Sequence, residues 1–268
     1  MDNNKLITIE DSKIINISAN SATVKYNGSY NSSVSYSIPN IYVKTGDVLY
    51  CVLSVLHSEI PVSYYTVNNT NNILVINSTI YTLILGNYTV KSFMTMVLGV
   101  LGTSNYSMTF NDITRVFTLT NLLSVNFTIG SGSTCYILFG FNQNVAITST
   151  LYILTMPNVC DLSGVKRFSI KSSTLQSKNI DSTGKGITNT LATITVNSLA
   201  GGISTFLNQT NFGTILTNTH IDIFDIMITD EYNNLINFNG ADWFITLQLD
   251  IFREIVINPE DFHKIVSS

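Results

Sequence analysis

Apolar residues in this chain come mostly in short stretches that alternate with polar ones, and they keep helical spacing in only one place. That period decides the fold class. Successive side chains of a strand point to opposite faces, whereas a helix repeats about every 3.6 residues. Ala22-Thr23-Val24-Lys25-Tyr26 and Val34-Ser35-Tyr36-Ser37-Ile38 alternate, and Leu6–Ile9 is a third short stretch of β type. Val48–Leu56 is almost continuously apolar, which predicts a strand buried on both faces. Ile73–Ile76 and Ile80–Leu85 read as strands joined by Asn77-Ser78-Thr79, and Tyr106–Phe110 with Val116–Leu119 as a hairpin around 111–115. Val125–Ile129, Ala146–Thr155, Leu191–Leu199, Ile221–Ile228 and Trp243–Ile251 complete the expected strands. Between them lie turns rich in Asn, Ser and Gly, Lys44–Asp47 and Gly130–Ser133 among them. Only Val90, Phe93, Met94, Val97, Leu98 and Leu101 follow helical spacing. They predict one short helix over 89–101, capped by Asn87 or Thr89 and ended by Gly102. The expected class is therefore all-β, a sandwich or a barrel.

The texture changes after Met156-Pro157-Asn158, where five of the thirteen basic residues fall between Lys166 and Lys185. Two β-domains, 1–156 and 157–268, are the expected division, with the polar stretch Ser172–Gly186 as an exposed connection.

Charge narrows the function. Asp, Glu, Lys and Arg make up 11% of the chain, against about 25% in an ordinary soluble domain. With 45% hydrophobic residues the chain is not a disordered one. A net charge of -4 argues against nucleic acid as a partner. The apolar runs Val48–Leu56, Phe93–Leu101 and Cys135–Phe141 are too short to span a bilayer, and the start at Met1–Lys5 has no export pattern, so no membrane span and no signal peptide are expected. Cys51, Cys135 and Cys160 are odd in number and far apart, which predicts buried free thiols. The Asn-x-Ser/Thr triplets at Asn16, Asn27, Asn87 and Asn208 are then unmodified.

The motifs of chemistry are absent or broken. Ser182-Thr183-Gly184-Lys185-Gly186 only resembles the end of a phosphate-binding loop. His57, His220 and His263 show no metal-ligand spacing. His57 and Glu59 share a strand face and read as a rim pair more readily than as a catalytic one. Nine of the seventeen acids follow residue 220, but the stretch from Asp230 lacks the ligand pattern of a calcium loop and reads as a turn. No catalytic, cofactor-binding or metal-binding residue is assigned, and no cofactor is expected.

One resemblance emerges from short motifs in a fixed order. They are Ile60-Pro61-Val62-Ser63-Tyr64-Tyr65, Gly86-Asn87-Tyr88, Phe139-Gly140-Phe141, and Asn237-Phe238-Asn239-Gly240-Ala241-Asp242-Trp243. This order resembles the jelly-roll penton and minor capsid proteins of giant viruses, virophages and polinton-like viruses. Phe139 stands where that pattern has Leu, and Asn237 where it has Asp. The resemblance spans most of residues 45–252. It implies a jelly-roll-like β-sandwich and a structural role in an icosahedral capsid. The chain is too short for a double jelly-roll major subunit, so a penton (vertex) or minor capsid protein is expected. Its implied partners are itself, as a pentamer or else a trimer, together with the major capsid protein and other minor capsid proteins; its implied place is the virion. Pro61, Tyr64, Tyr65, Phe238 and Trp243 are the candidate core or interface anchors. The rival reading is a receptor- or carbohydrate-binding head of a virion spike.

Overall fold

The computed structural model describes residues 5–43, 48–175, 179–181, 186–210, 212–216 and 220–256. The turn at 44–47, the Gly-Lys run at 182–185, and Glu260, Asp261 and His263 lie outside them. The chain gathers into two compact units. Unit 1 is Met1–Tyr64 with Val165–Ser268, and unit 2 is Tyr65–Gly164.

Unit 1 begins with β1 (Lys5–Ser18), β2 (Val24–Lys25), β3 (Ser33–Val43) and β4 (Val48–Pro61). Unit 2 holds β5 (Ile73–Ile76), β6 (Thr79–Thr82), helix α1 (Val90–Leu101), β7 (Tyr106–Asn111), β8 (Val116–Asn121), β9 (Thr128–Ile129), helix α2 (Tyr136–Phe139), β10 (Ile147–Thr148) and β11 (Ile153–Thr155). Unit 1 resumes with β12 (Arg167–Lys171), β13 (Asn179–Asp181), β14 (Gly186–Thr188), β15 (Thr190–Thr195), β16 (Ile203–Leu207), β17 (Thr214–Leu216), β18 (His220–Thr229) and β19 (Phe244–Val256).

The two large sheets of unit 1 are antiparallel throughout. One runs β1-β19-β4-β16, with β17 also on β4, and the other β15-β12-β18-β3-β2. Lettering the eight principal strands B to I in chain order (β1, β3, β4, β12, β15, β16, β18, β19), the sheets read B-I-D-G and F-E-H-C. That is the strand order of a jelly roll. Ile245, Leu247, Leu249 and Ile251 of strand I and Phe224, Ile226 and Ile228 of strand H are buried in one common core. Strict alternation on both strands places them there.

This grouping differs from a division at 156/157. Strand D (β4) pairs with strands G, β17 and I, and strand C with strand H, so the first sixty-odd residues find their partners in the last hundred. Unit 2 is an insertion between strands D and E.

Strand D also departs from expectation. Cys51, Leu53 and Val55 face the core, but Val52 and Leu56 are half-exposed and Leu49 is exposed, so the strand is buried mainly on one face. Its partners skip a residue: Thr246 opposes His57 and Leu247 opposes Val55. The extra residue, Leu56, forms a bulge that shifts the alternation by one. Beyond it Ser58 and Ile60 turn inward while His57 and Glu59 turn out.

Unit 2 has its own core around Phe93, Phe117, Phe127 and Phe139. Its helix α1 matches the predicted 89–101. The Thr89 hydroxyl accepts from the Ser92 backbone and the Ser92 hydroxyl accepts from the Thr89 backbone, a closed capping box. The stretch 146–155 is not one strand. It breaks at Leu151-Tyr152, a two-residue turn closed by paired backbone bonds between Thr150 and Ile153 at 3.0 and 3.1 Å. Both turn residues have positive φ, 48° and 56°. Such turns normally take Asn-Gly, and left-handed backbone costs a bulky residue about 1–2 kcal/mol. In unit 1, Ser172 and Leu175 of the expected exposed connection are buried. The carboxylate of Asp225 on strand H gathers the Ser172, Ser173 and Thr174 hydroxyls and the Ser173 and Thr174 backbone amides at 2.6–3.0 Å.

Candidate assembly surfaces

The five anchor residues occupy different environments. Trp243 and Phe238 are fully buried in unit 1, where the Trp243 indole N–H donates to the Asn31 carbonyl at 2.6 Å. Tyr64 is buried against the edge of Phe168, and its hydroxyl donates to the Val165 carbonyl at 3.0 Å. Burial, with the Glu231 charge adding to it, raises the Tyr64 phenol to about 12. Pro61 is half-exposed on strand D, and Tyr65, the first residue of unit 2, is exposed.

Among the described residues the ionisable groups lie apart from one another or in neighbouring pairs. His57 Nε2 lies 3.9 Å from Glu59 Oε1 on the open side of strand D. The described late acids lie on strands and turns among their own neighbours. Asp230 accepts from the backbone of Tyr232 and Asn234, both at 2.8 Å. Asp242 holds the amides of Asn20 and Trp243, Asp250 takes Ser12 and Gln248, and Asp222 pairs with His220. Among the described residues no three His, Cys, Asp or Glu side chains come together as metal ligands. The three cysteines are buried free thiols, and burial pushes the Cys135 thiol well above its usual range.

The informative surfaces are the two outer faces of the jelly roll. On the F-E-H-C sheet, register puts Thr190, Thr193 and Thr195 of strand F beside Lys171, Ser169 and Arg167 of strand E. Farther across, Asp225 and Met227 of strand H meet Ser35 and Ser33 of strand C. This face is rich in hydroxyls and charged side chains, with Val24, Tyr26, Ile38 and Ile223 as its exposed apolar residues. The B-I-D-G sheet bares more aliphatic side chains. Ile9, Phe252 and Tyr50 line up across strands B, I and D, with the two rings stacked at 4.7 Å. Beside them Val52 pairs with Ile215 of β17. Ile7, Ile9, Ile14 and Ile215 are each half exposed or more, and at the far end Ile203 and Leu207 of strand G are equally bare. These apolar residues share the face with Ser12, Asn16, His57, Glu59, Thr246, Gln248 and Asp250, so they form patches among polar side chains. Composition gives low charge, but only the register shows that the bare isoleucines share a face.

No protein-family model matches the chain, and no curated protein sequence matches it. Solved structures are similar in fold. The mavirus penton protein superposes at a TM-score of 0.46 with 11% identity, over 90% of this chain and 100% of its own. A chain of the Sputnik virophage, solved by cryo-EM, gives 0.47 and 12%, over 90% of this chain and 98% of its own.

Proposed function

We propose that this chain is a structural subunit of an icosahedral virus capsid, a vertex (penton) or minor capsid protein. It works by associating with its own copies and with other capsid proteins, and no reaction is asked of any side chain. The observation that carries the reading is the contrast between the two outer faces of the sandwich. One is richer in hydroxyls, and the other bares isoleucines on strands B, G and β17, with Tyr50 and Val52 of strand D and Phe252 of strand I beside them, and suits a neighbouring protein. The ordered motifs around Pro61, Tyr88, Phe139 and Trp243 support the same reading.

Light scattering coupled to gel filtration, with electron microscopy of the peak, tests the proposal. A ring of five is the expected outcome, and three-fold particles would move the role to a facet or minor component. A stable, highly soluble monomer at all concentrations overturns the reading.

A further inference from the structure

We infer that unit 2 carries both halves of a head-to-tail contact: an apolar knob that seats in an apolar groove on unit 2 of a second copy. The inference rests on the reading that the chain associates with itself.

The knob is built from two adjacent loops. Leu122, Leu123 and Val125 follow strand β8, and Leu151, Tyr152 and Ile153 form the turn into β11. The Asn121 amide donates to the Tyr152 carbonyl at 2.9 Å, and the Tyr152 amide donates to the Asn126 side chain at 2.7 Å, so the loops move as one. Leu151 is 73% exposed and Leu123 64% exposed. Nothing in the hairpin itself calls for Leu-Tyr at a left-handed turn that Asn-Gly would fit without strain. A strained backbone that also holds bare apolar side chains toward solvent points to a partner.

The groove runs along the outer side of α1. It is a shallow, open depression lined by Ile84, Tyr88, Met96, Gly99 and Val100, with Thr89, Lys91, Ser92 and Thr95 as its polar residues. It shares no residue with the knob. Gly99 opens its wall: a Cβ added there would meet nothing within 4 Å.

Charge selects the occupant. Among the 100 residues of unit 2 only Lys91, Asp112, Arg115 and Asp161 are charged, and they cancel. Such a unit cannot steer toward a charged partner and has no basic rim for an anionic lipid surface. It meets an equally neutral copy of itself without repulsion. Because knob and groove are different patches, the contact is heterologous: it makes a ring where the rotation between copies closes and a filament where it does not.

Two substitutions test this without weakening the fold. Leu151→Asn with Tyr152→Gly removes the knob and gives the turn its preferred residues, so the melting temperature should rise. Gly99→Trp fills the groove and replaces a helix-interior glycine, and Gly99→Ala serves as its control. Each of the two blocking variants should raise the concentration at which the wild-type oligomer dissociates by at least tenfold, with Gly99→Ala unchanged. Mixed one to one, they should form a dimer and stop, because the intact knob of one fits the intact groove of the other. A wild-type oligomer that neither variant weakens overturns the inference and leaves self-association standing. A wild-type monomer overturns both. Weakened variants whose mixture yields no dimer overturn the head-to-tail pairing. Sedimentation of the wild type with phosphatidylcholine vesicles, lost in the knob variant, overturns it in favour of lipid.

Discussion

A single indole joins two kinds of stabilisation in unit 1. Trp243 fills core volume at zero exposure and satisfies the Asn31 carbonyl. Trp243→Ala should therefore cost about 3–5 kcal/mol in urea unfolding. Trp243→Phe should cost less but still leave the carbonyl unpaired, at about 1–3 kcal/mol. Loss of assembly with no change in unfolding would show the indole working at an interface instead. Asp225 makes a prediction of another kind. Its partial burial would raise its carboxyl, but the hydrogen bonds from Thr174 and Ser173 outweigh that and hold it below the usual carboxylate range. The stability it contributes is full above the ordinary carboxylate pKa of about 3.9 and is lost as the pH falls through the lowered folded value. Asp225→Asn should thus melt below wild type at neutral pH, and thermal scans between pH 6 and 2 should show the gap closing on the acid side. A constant gap would mean that the carboxylate's charge plays no part in holding residues 172–174.

At the scale of elements, the bulge at Leu56 sets which half of strand D faces in. Deleting Leu56 would remove the bulge and leave one unbroken alternation, with Cys51, Leu53, Val55, Ser58 and Ile60 still facing in and His57 and Glu59 still facing out, so soluble protein with native circular dichroism is expected; loss of folding would show that the bulge itself is required. The capping box of α1 is a gentler test. Thr89→Ala should lower stability by about 1 kcal/mol, measured as a shift in the unfolding midpoint. These elements also show how far the sequence could be read. Helix α1, the β7–β8 hairpin and strand I were legible because periodicity and turn residues agreed. The β10–β11 turn was not, because Leu151 and Tyr152 carry no turn chemistry. Nor was the full length of strand B, whose middle, Glu10-Asp11-Ser12-Lys13, is polar and becomes a strand only by pairing with strand I across a bulge. The apolar residues of the outer face escaped for a related reason: they come from five strands, B, D, G, β17 and I, spread along the sequence, and only register unites them.

For the whole molecule, the jelly roll owes nothing in its strand pairing to the inserted unit. Every ladder of its two sheets joins residues before 65 to residues after 164, or lies within one of those stretches. Replacing 65–164 by a short Gly-Ser linker should leave a folded sandwich. Far-ultraviolet circular dichroism and a cooperative melt would check this, and a molten product would show that unit 2 is needed to complete the core. Sequence reading placed its one boundary near Pro157, whereas unit 2 ends at Gly164 and the chain then returns to unit 1. Composition is local, whereas the return is set by strand pairing over two hundred residues.

The Tyr64 hydroxyl bonds the Val165 carbonyl, so the two points where the chain leaves and re-enters the sandwich are clasped together. Whatever cassette hangs there needs only closely spaced termini to be grafted onto the same base. The lineage that carries this protein could therefore exchange the inserted unit wholesale while the sandwich kept its frame.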